Sequence, residues 1–438
     1  MFDRSVKATA DEAMVAKLAT TKAGYYVDPF LDAFSQSSAN DSNPTPTDRA
    51  SATSRARRGQ MGSGRRRNVQ PIIKRGTHAR VCVMDRAIST FLKMDDELPC
   101  QVVILGAGKD TSYFRYRSGI LMGMKEEDDE AETTASRQQQ RRMPRQRHTE
   151  STSQREVHWY EVDHVSVVKE KASLIRKSNL LKSFCPMLLK TESGYESGGA
   201  SSGLGSFSGG LGSSLSSSSS PTYRLVGHDL RDSPTILLEK LNLNPTLPTL
   251  FIMECVSMYI PITESKILLQ ALSVSSDTVF IACYEPILGL GDPFGRVMER
   301  NLVKMGVASP DCCLLQTRSL NDQLEKLVEC EGFLRAVGCD MWSAYETIVT
   351  AAQRKRANQS EFMDEYEEWI LIMQHYSFVV AQGGRSSARR DQPQCSLTMV
   401  LVVDPPSTTT DNSSSKDDDK EKSSSLGWVS GKCSQLEK

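Results

Sequence analysis

Two glycines at the end of an apolar run are the first residues in this chain whose types and spacing could do chemistry. Residues 101–113 read Gln-Val-Val-Ile-Leu-Gly-Ala-Gly-Lys-Asp-Thr-Ser-Tyr. A buried strand that breaks into a glycine-rich turn usually opens a helix. Gly106 and Gly108 let backbone approach a ligand closely, and the helix N-terminus beyond offers free N–H groups. The third glycine of a dinucleotide fingerprint is absent, because Thr111 stands there. Alone, the pair also fits an ordinary turn, so the residues that follow decide its meaning.

Asp163 closes the run Trp159-Tyr160-Glu161-Val162-Asp163. A strand-end carboxylate can accept both hydroxyls of a nucleoside ribose, usually about 20 residues after the glycine turn. Gly108 and Asp163 are 55 residues apart in sequence. Discounting the polar insert between them restores roughly 21, close to that offset. The other reading of Asp163 is an exposed strand-end acid. Asp229 and Leu230 end a further strand, in Leu-Val-Gly-His-Asp-Leu. There Asp229 either accepts a hydrogen bond from an adenine amino group, with the Leu230 backbone beside it, or caps a helix.

Glu254 interrupts the apolar run from Pro248 to Ile260. An unpaired buried carboxylate is costly, so Glu254 is expected at the strand's exposed end or beside a partner. Tyr259 follows where the chain should turn toward a helix, a place where tyrosine either packs or serves a reaction. Lys17 and Arg80, read alone, are ordinary solvated cations. The six histidines show no metal-ligand spacing, and no Gly-x-Ser-x-Gly elbow supports a hydrolase triad.

The elements that must position these residues alternate. Strands are expected at 101–105, 157–162, 223–227, 249–255, 278–283, 375–381 and 396–403. Helices are expected near 7–24, 71–94, 166–182, 234–241, 263–273, 294–306, 319–331, 342–351 and 361–373. In the second of these, Val81, Met84, Ile88, Phe91 and Leu92 give an apolar face. Strands separated by helices predict a parallel, doubly wound α/β sheet, with ligands beyond the strands' carboxyl ends. The last two strands have no helix between them and could form an antiparallel hairpin at the end of the sheet.

Composition sets the limits. Segments near 35–70, 122–155, 191–220, 383–393 and 405–438 are rich in Ser, Gly, Arg, Gln, Asp and Lys and are expected to be disordered inserts and a disordered tail. What remains suits one large domain within residues 1–404. The net charge of −1 gives no global field toward nucleic acid or membrane. The 11 cysteines form no Cys-x-x-Cys pair, and Cys255 and Cys283 sit in apolar runs as core residues. No signal peptide or membrane-length apolar run is visible, so a reduced compartment is expected: the cytoplasm, with the nucleus as a second location.

Together these residues resemble the leucine carboxyl methyltransferases. The matching pieces are Lys17 through Pro29, Arg75-Gly76 with Ala79-Arg80-Val81, and Leu105-Gly106-Ala107-Gly108 with Asp110-Thr111. They continue with Glu161-Val162-Asp163, Asp229-Leu230-Arg231-Asp232, Leu247-Pro248-Thr249-Leu250 with Glu254-Cys255-Val256 and Tyr259, and Tyr284-Glu285 with Gly291-Asp292 and Phe294-Gly295. The resemblance implies a Rossmann-like class I methyltransferase with a seven-stranded sheet and an N-terminal helical lid. It implies S-adenosylmethionine as cofactor and, as acceptor and partner, the C-terminal leucine carboxylate of the type 2A protein phosphatase catalytic subunit.

By the same resemblance Lys17 and Arg80 meet carboxylates, including the cofactor's methionyl group. Gly106 and Gly108 touch the cofactor, Asp163 its ribose, Asp229 and Leu230 its adenine, and Glu254 its pocket. Arg80 and Tyr259 lie at the methyl-transfer site. A monomer without nucleic-acid, membrane or metal partners is expected. Two alternatives stay open: a tRNA wybutosine-pathway carboxyl methyltransferase, and a phosphatase-binding module without catalysis.

Overall fold

The run Cys100–Leu105 is buried at all six positions. That is the pattern of a strand covered on both faces, and it forms the middle of the sheet. The computed structural model describes residues 2–35, 69–94, 98–122, 156–198, 221–289, 291–304, 311–385 and 429–432. Its strands are β1 (Cys100–Leu105), β2 (Val157–Asp163), β3 (Leu189–Lys190), β4 (Gly194–Gly198), β5 (Pro221–Gly227), β6 (Thr249–Glu254), β7 (Val279–Pro286), β8 (Arg335–Asp340), β9 (Tyr376–Gly383) and β10 (Val429–Lys432).

They form one sheet in the order β10-β8-β9-β7-β6-β1-β2-β5-β4-β3. β1 pairs in parallel with β2 and β6, β2 with β5, and β6 with β7. β9 runs antiparallel to both of its neighbours, β7 and β8. Seven strands, β8-β9-β7-β6-β1-β2-β5, thus make the expected doubly wound sheet with one reversed member. The chain goes out from β1 to β2 and β5, then returns to β6 on β1's other edge. That reversal opens a crevice beyond the carboxyl ends of β1 and β6, where ligands of such sheets bind.

Helices cover both faces. On one side α1 (Phe2–Lys22), α2 (Leu31–Phe34) and α3 (Pro71–Lys93) lead into a core that includes Met84, Ile88, Phe91, Trp159 and Trp369. Pro71 starts α3, where a missing N–H costs nothing. On the other side, Leu237, Leu241, Leu268 and Leu272 from helices Pro234–Leu241 and Ile262–Ser273 pack on Val103, Phe251 and Ile281. After the glycine turn comes α4 (Ser112–Arg117), and after β2 comes α5 (Val165–Lys177).

Four expectations need correcting. Strand β8 has no counterpart in the sequence reading, because Arg335-Ala-Val-Gly-Cys-Asp is short and half polar. Its Gly338 lies so close to β9 that a Cβ there would stand 2.8 Å from Val379 Cγ2. β9 has both edges filled, by β7 and β8, and so offers no edge to the hairpin partner expected at 396–403, which lies outside the described residues. The helix expected at 342–351 is two helices, Met341–Thr347 and Ala351–Ser360, the second started by a Thr350–Gln353 capping box. Finally, Gly194–Gly198 and Val429–Lys432, placed within an insert and the tail, pair into the sheet as β4 and β10. Tyr195 is buried under Arg176, whose guanidinium lies 4.7 Å from its ring centre. The rest of the insert and tail expectations, at 36–68, 123–155, 199–220, 386–393, 405–428 and 433–438, fall outside the described residues.

Candidate active site

The glycine turn takes backbone conformations that side chains resist. Gly106 has φ +66° and Gly108 φ +50°, the left-handed region that glycine enters without a steric penalty. A Cβ on Gly106 would stand 2.5 Å from Val256 Cγ2, and one on Gly108 would stand 3.3 Å from Ala10 Cβ of α1. The turn is therefore pressed between the loop after β6 and the N-terminal helix.

Asp163 holds the turn from the β2 side. Its Oδ2 accepts the Gly108 N–H at 2.6 Å and its Oδ1 accepts the His164 N–H at 2.7 Å. Burial raises the Asp163 carboxyl above its ordinary range, and the two N–H donors work against that rise. Gly108, Asp163, Glu161, Lys171, Val168 and Leu225, among others, line a tightly packed space beside the turn. In its wall Glu161 is fully buried, ion-paired to Lys171, and accepts the Tyr223 hydroxyl at 3.0 Å. Burial pushes the Glu161 carboxyl up to about 7, against the pull of Lys171.

Across the crevice, four charges meet. Arg80 Nε donates to Glu254 Oε2 at 2.6 Å, and Lys17 Nζ lies 3.8 Å from the same oxygen and 3.3 Å from Asp110 Oδ2. The elements that bring them together are α1, α3, the end of β6 and the glycine turn. Burial alone would raise the Glu254 carboxyl, but Lys17 and Arg80 outweigh it and hold it below its ordinary value. Asp110 is likewise held below the usual carboxylate range, burial being overcome by Lys17, Lys171 and Arg115. The Arg80 guanidinium also sits 4.9 Å from the centre of the Tyr284 ring, which stacks on Tyr376.

Tyr259 ends the single turn Ser257–Tyr259 that follows β6. Its phenol is raised by burial, with Arg80 the cation that acts on it in the opposite sense. Asp229 stands beyond β5, where its carboxylate closes a local turn: Oδ1 accepts the Arg231 N–H at 3.0 Å and Arg231 Nε at 2.8 Å. Those bonds lower its carboxyl. Leu230 is buried beside it.

Of the residues singled out from the sequence, Lys17, Arg80, Glu254, Gly106, Gly108 and Asp163 thus gather at the switch point, with Tyr259 on the adjoining turn. Asp229 and Leu230 lie at the end of β5, two strands from β1. Sequence alone gives little sign of the charge partners. Asp110 pairs with a lysine 93 residues away, and Lys171 donates to the Asp110 carbonyl at 2.7 Å. Behind them Arg115 binds Asp85 through Nη2 at 2.8 Å, and Asp28 accepts the Thr111 hydroxyl at 2.5 Å. The one local signal was Lys109-Asp110 directly after the turn. Among the described residues, no His/Cys/Asp/Glu group could hold a metal ion.

The profile of the leucine carboxyl methyltransferase family matches residues 5–133 and 142–273. The chain belongs to this family. It is 28% identical to leucine carboxyl methyltransferase 1 of Aspergillus fumigatus, over 89% of this chain and 85% of the relative. With the Bos taurus enzyme of that name it shares 26% identity, over 88% of this chain and 91% of the other. A homolog from Arabidopsis thaliana is 26% identical over 86% of this chain and 89% of that protein. As a leucine carboxyl methyltransferase the chain is an enzyme, and the profile match contains Lys17, Arg80, Gly106, Gly108, Asp163, Asp229, Leu230, Glu254 and Tyr259.

Proposed function

We propose that this enzyme transfers a methyl group from S-adenosylmethionine to the C-terminal leucine carboxylate of the type 2A protein phosphatase catalytic subunit, forming a methyl ester. The observation that carries the reading is the four-charge cluster of Lys17, Arg80, Asp110 and Glu254 beside the glycine turn. Two cations and two carboxylates suit a zwitterionic amino-acid group, whose ammonium and carboxylate each find an opposite charge. Gly106 and Gly108, with no Cβ, leave room for close backbone approach, and the buried Asp163 suits a ribose diol. The residues therefore fit the cofactor, which when bound supplies an electrophilic methyl group on a sulfonium.

The chain's own part is orientation and exclusion of water. A carboxylate acceptor is ionised at pH 7 and attacks without a base. Arg80 holds a planar fork of donors near the Tyr259 turn, and such forks fix carboxylate geometry. Apolar walls and α1 keep water from competing. The reading includes a monomer acting in the cytoplasm; among the described residues no helix is long and apolar enough to cross a membrane.

The test is radiolabelled methyl transfer to the phosphatase catalytic subunit with and without its terminal leucine. Base-labile label that disappears with the leucine is expected. Label that resists mild base, or that reaches tRNA equally, would overturn the acceptor.

A further inference from the structure

Glu285 lies one residue from the end of β7 and is buried, yet no ligand role accounts for it. One of its oxygens, Oε1, accepts two backbone N–H groups from the neighbouring loop, Val256 at 3.0 Å and Ser257 at 2.9 Å. The loop it grips is strained. Cys255 has φ +54°, one of two non-glycine residues with positive φ among those described, and such backbone persists only where its surroundings hold it. The grip has two outputs. Val256 is the side chain pressed on Gly106, and Ser257 begins the turn that ends in Tyr259.

We propose that Glu285 is a positioning residue that sets the Val256–Tyr259 turn, and through Val256 the cofactor-side Gly106. For the acceptor side this rests on the function proposed above. A carboxylate suits the task better than an amide or hydroxyl, because bonds to an ionised acceptor are about twice as strong. Its second oxygen, Oε2, has no hydrogen-bond partner among the described residues. Lys326, itself 3.6 Å from Glu331, is the cation that acts on this carboxylate, and the Ser377 hydroxyl donates to the Glu285 backbone carbonyl at 3.1 Å. Burial raises the Glu285 carboxyl, and the two N–H groups and Lys326 counter that rise.

The test is a pair of double-mutant cycles in the full chain. Glu285→Gln keeps the shape and replaces charged bonds with neutral ones. Calorimetry with S-adenosylmethionine should show Kd weakened about fivefold, and an effect below twofold once Val256→Ala has removed the contact with Gly106. In the methylation assay Glu285→Gln should lower kcat about tenfold with the acceptor KM within twofold, and that loss should shrink in a Tyr259→Phe background. A purely structural Glu285 would give a lower melting temperature with Kd and kcat of the folded protein unchanged, or losses that multiply independently in both cycles. Either result would overturn the proposal. If the wild type binds cofactor but leaves the phosphatase unlabelled, the acceptor reading falls alone, and the cofactor cycle still decides Glu285.

Discussion

Arg80 Nε and Glu254 Oε2 stand 2.6 Å apart, a bond that ties α3 to the carboxyl end of β6 across 174 residues of sequence. Its strength depends on the planar guanidinium, which bonds Glu254 while its face rests on Tyr284. Arg80→Lys keeps the charge and loses that double engagement. Turnover should fall at least tenfold while the melting temperature drops by only a few degrees. Equal proportional losses of activity and folded protein would show a stability effect only.

Gly106→Ala adds a Cβ both at a strained φ and 2.5 Å from Val256 Cγ2. The strain should cost about 1–3 kcal/mol of stability. Cofactor affinity should fall at least tenfold. Pairing it with Val256→Ala relieves the clash but not the φ, so calorimetry on the double variant should recover only part of the loss.

Asp163→Ala removes the acceptor for the Gly108 and His164 N–H groups. Binding of S-adenosylmethionine should weaken by roughly 1.5–3 kcal/mol, the scale for bonds to a charged group. Titration that returns the wild-type affinity would take Asp163 out of the site.

Glu161 sets a direction for stability against pH. Burial raises its folded-state carboxyl from 4.5 to about 7, so between those values the folded state binds more protons than the unfolded one. Stability from this group is then full below about pH 4.5 and declines as pH rises toward 7. Glu161→Gln cannot titrate. Relative to wild type its stability should improve between pH 5 and pH 7.5, by on the order of 1–3 kcal/mol. Parallel unfolding curves for the two proteins across that range would refute the assignment.

The insert between β4 and β5 leaves and re-enters the sheet at one place, since Gly198 pairs with Pro221. A short turn can join two such strand ends. Replacing residues 200–219 by a turn of about four residues should leave the melting temperature within about 2 °C, a shift of about 1 kcal/mol at most. Extending the deletion back to 195 removes the buried Tyr195 and should lower it measurably more.

The centre of this fold was legible because its strands are apolar runs ended by turn residues. β1, β2, β6 and the helix Pro234–Leu241 stand within a residue or so of where the pattern put them. The Asp163 position emerged once the low-complexity insert was discounted. β8 was not legible, because Gly338 is dictated by contact with β9 and not by local preference. β4 hides in a Gly/Ser-rich segment, where a buried Tyr195 is the sole apolar anchor in Gly194–Gly198. The ion pairs of Lys17 with Asp110 and Glu254 join residues that no local spacing connects, so composition could show the charges but not the partners.

The seat of α1 on the glycine turn governs time as well as place. Ala10 lies over Gly108, and Lys109 bonds Asp11 at 2.5 Å. On the function proposed above, a cofactor held against the glycine turn leaves only when those contacts open. Residence time of the spent cofactor should then follow detachment of the first helix, and because the latch is partly ionic with Asp11 half-exposed, added salt should hasten escape.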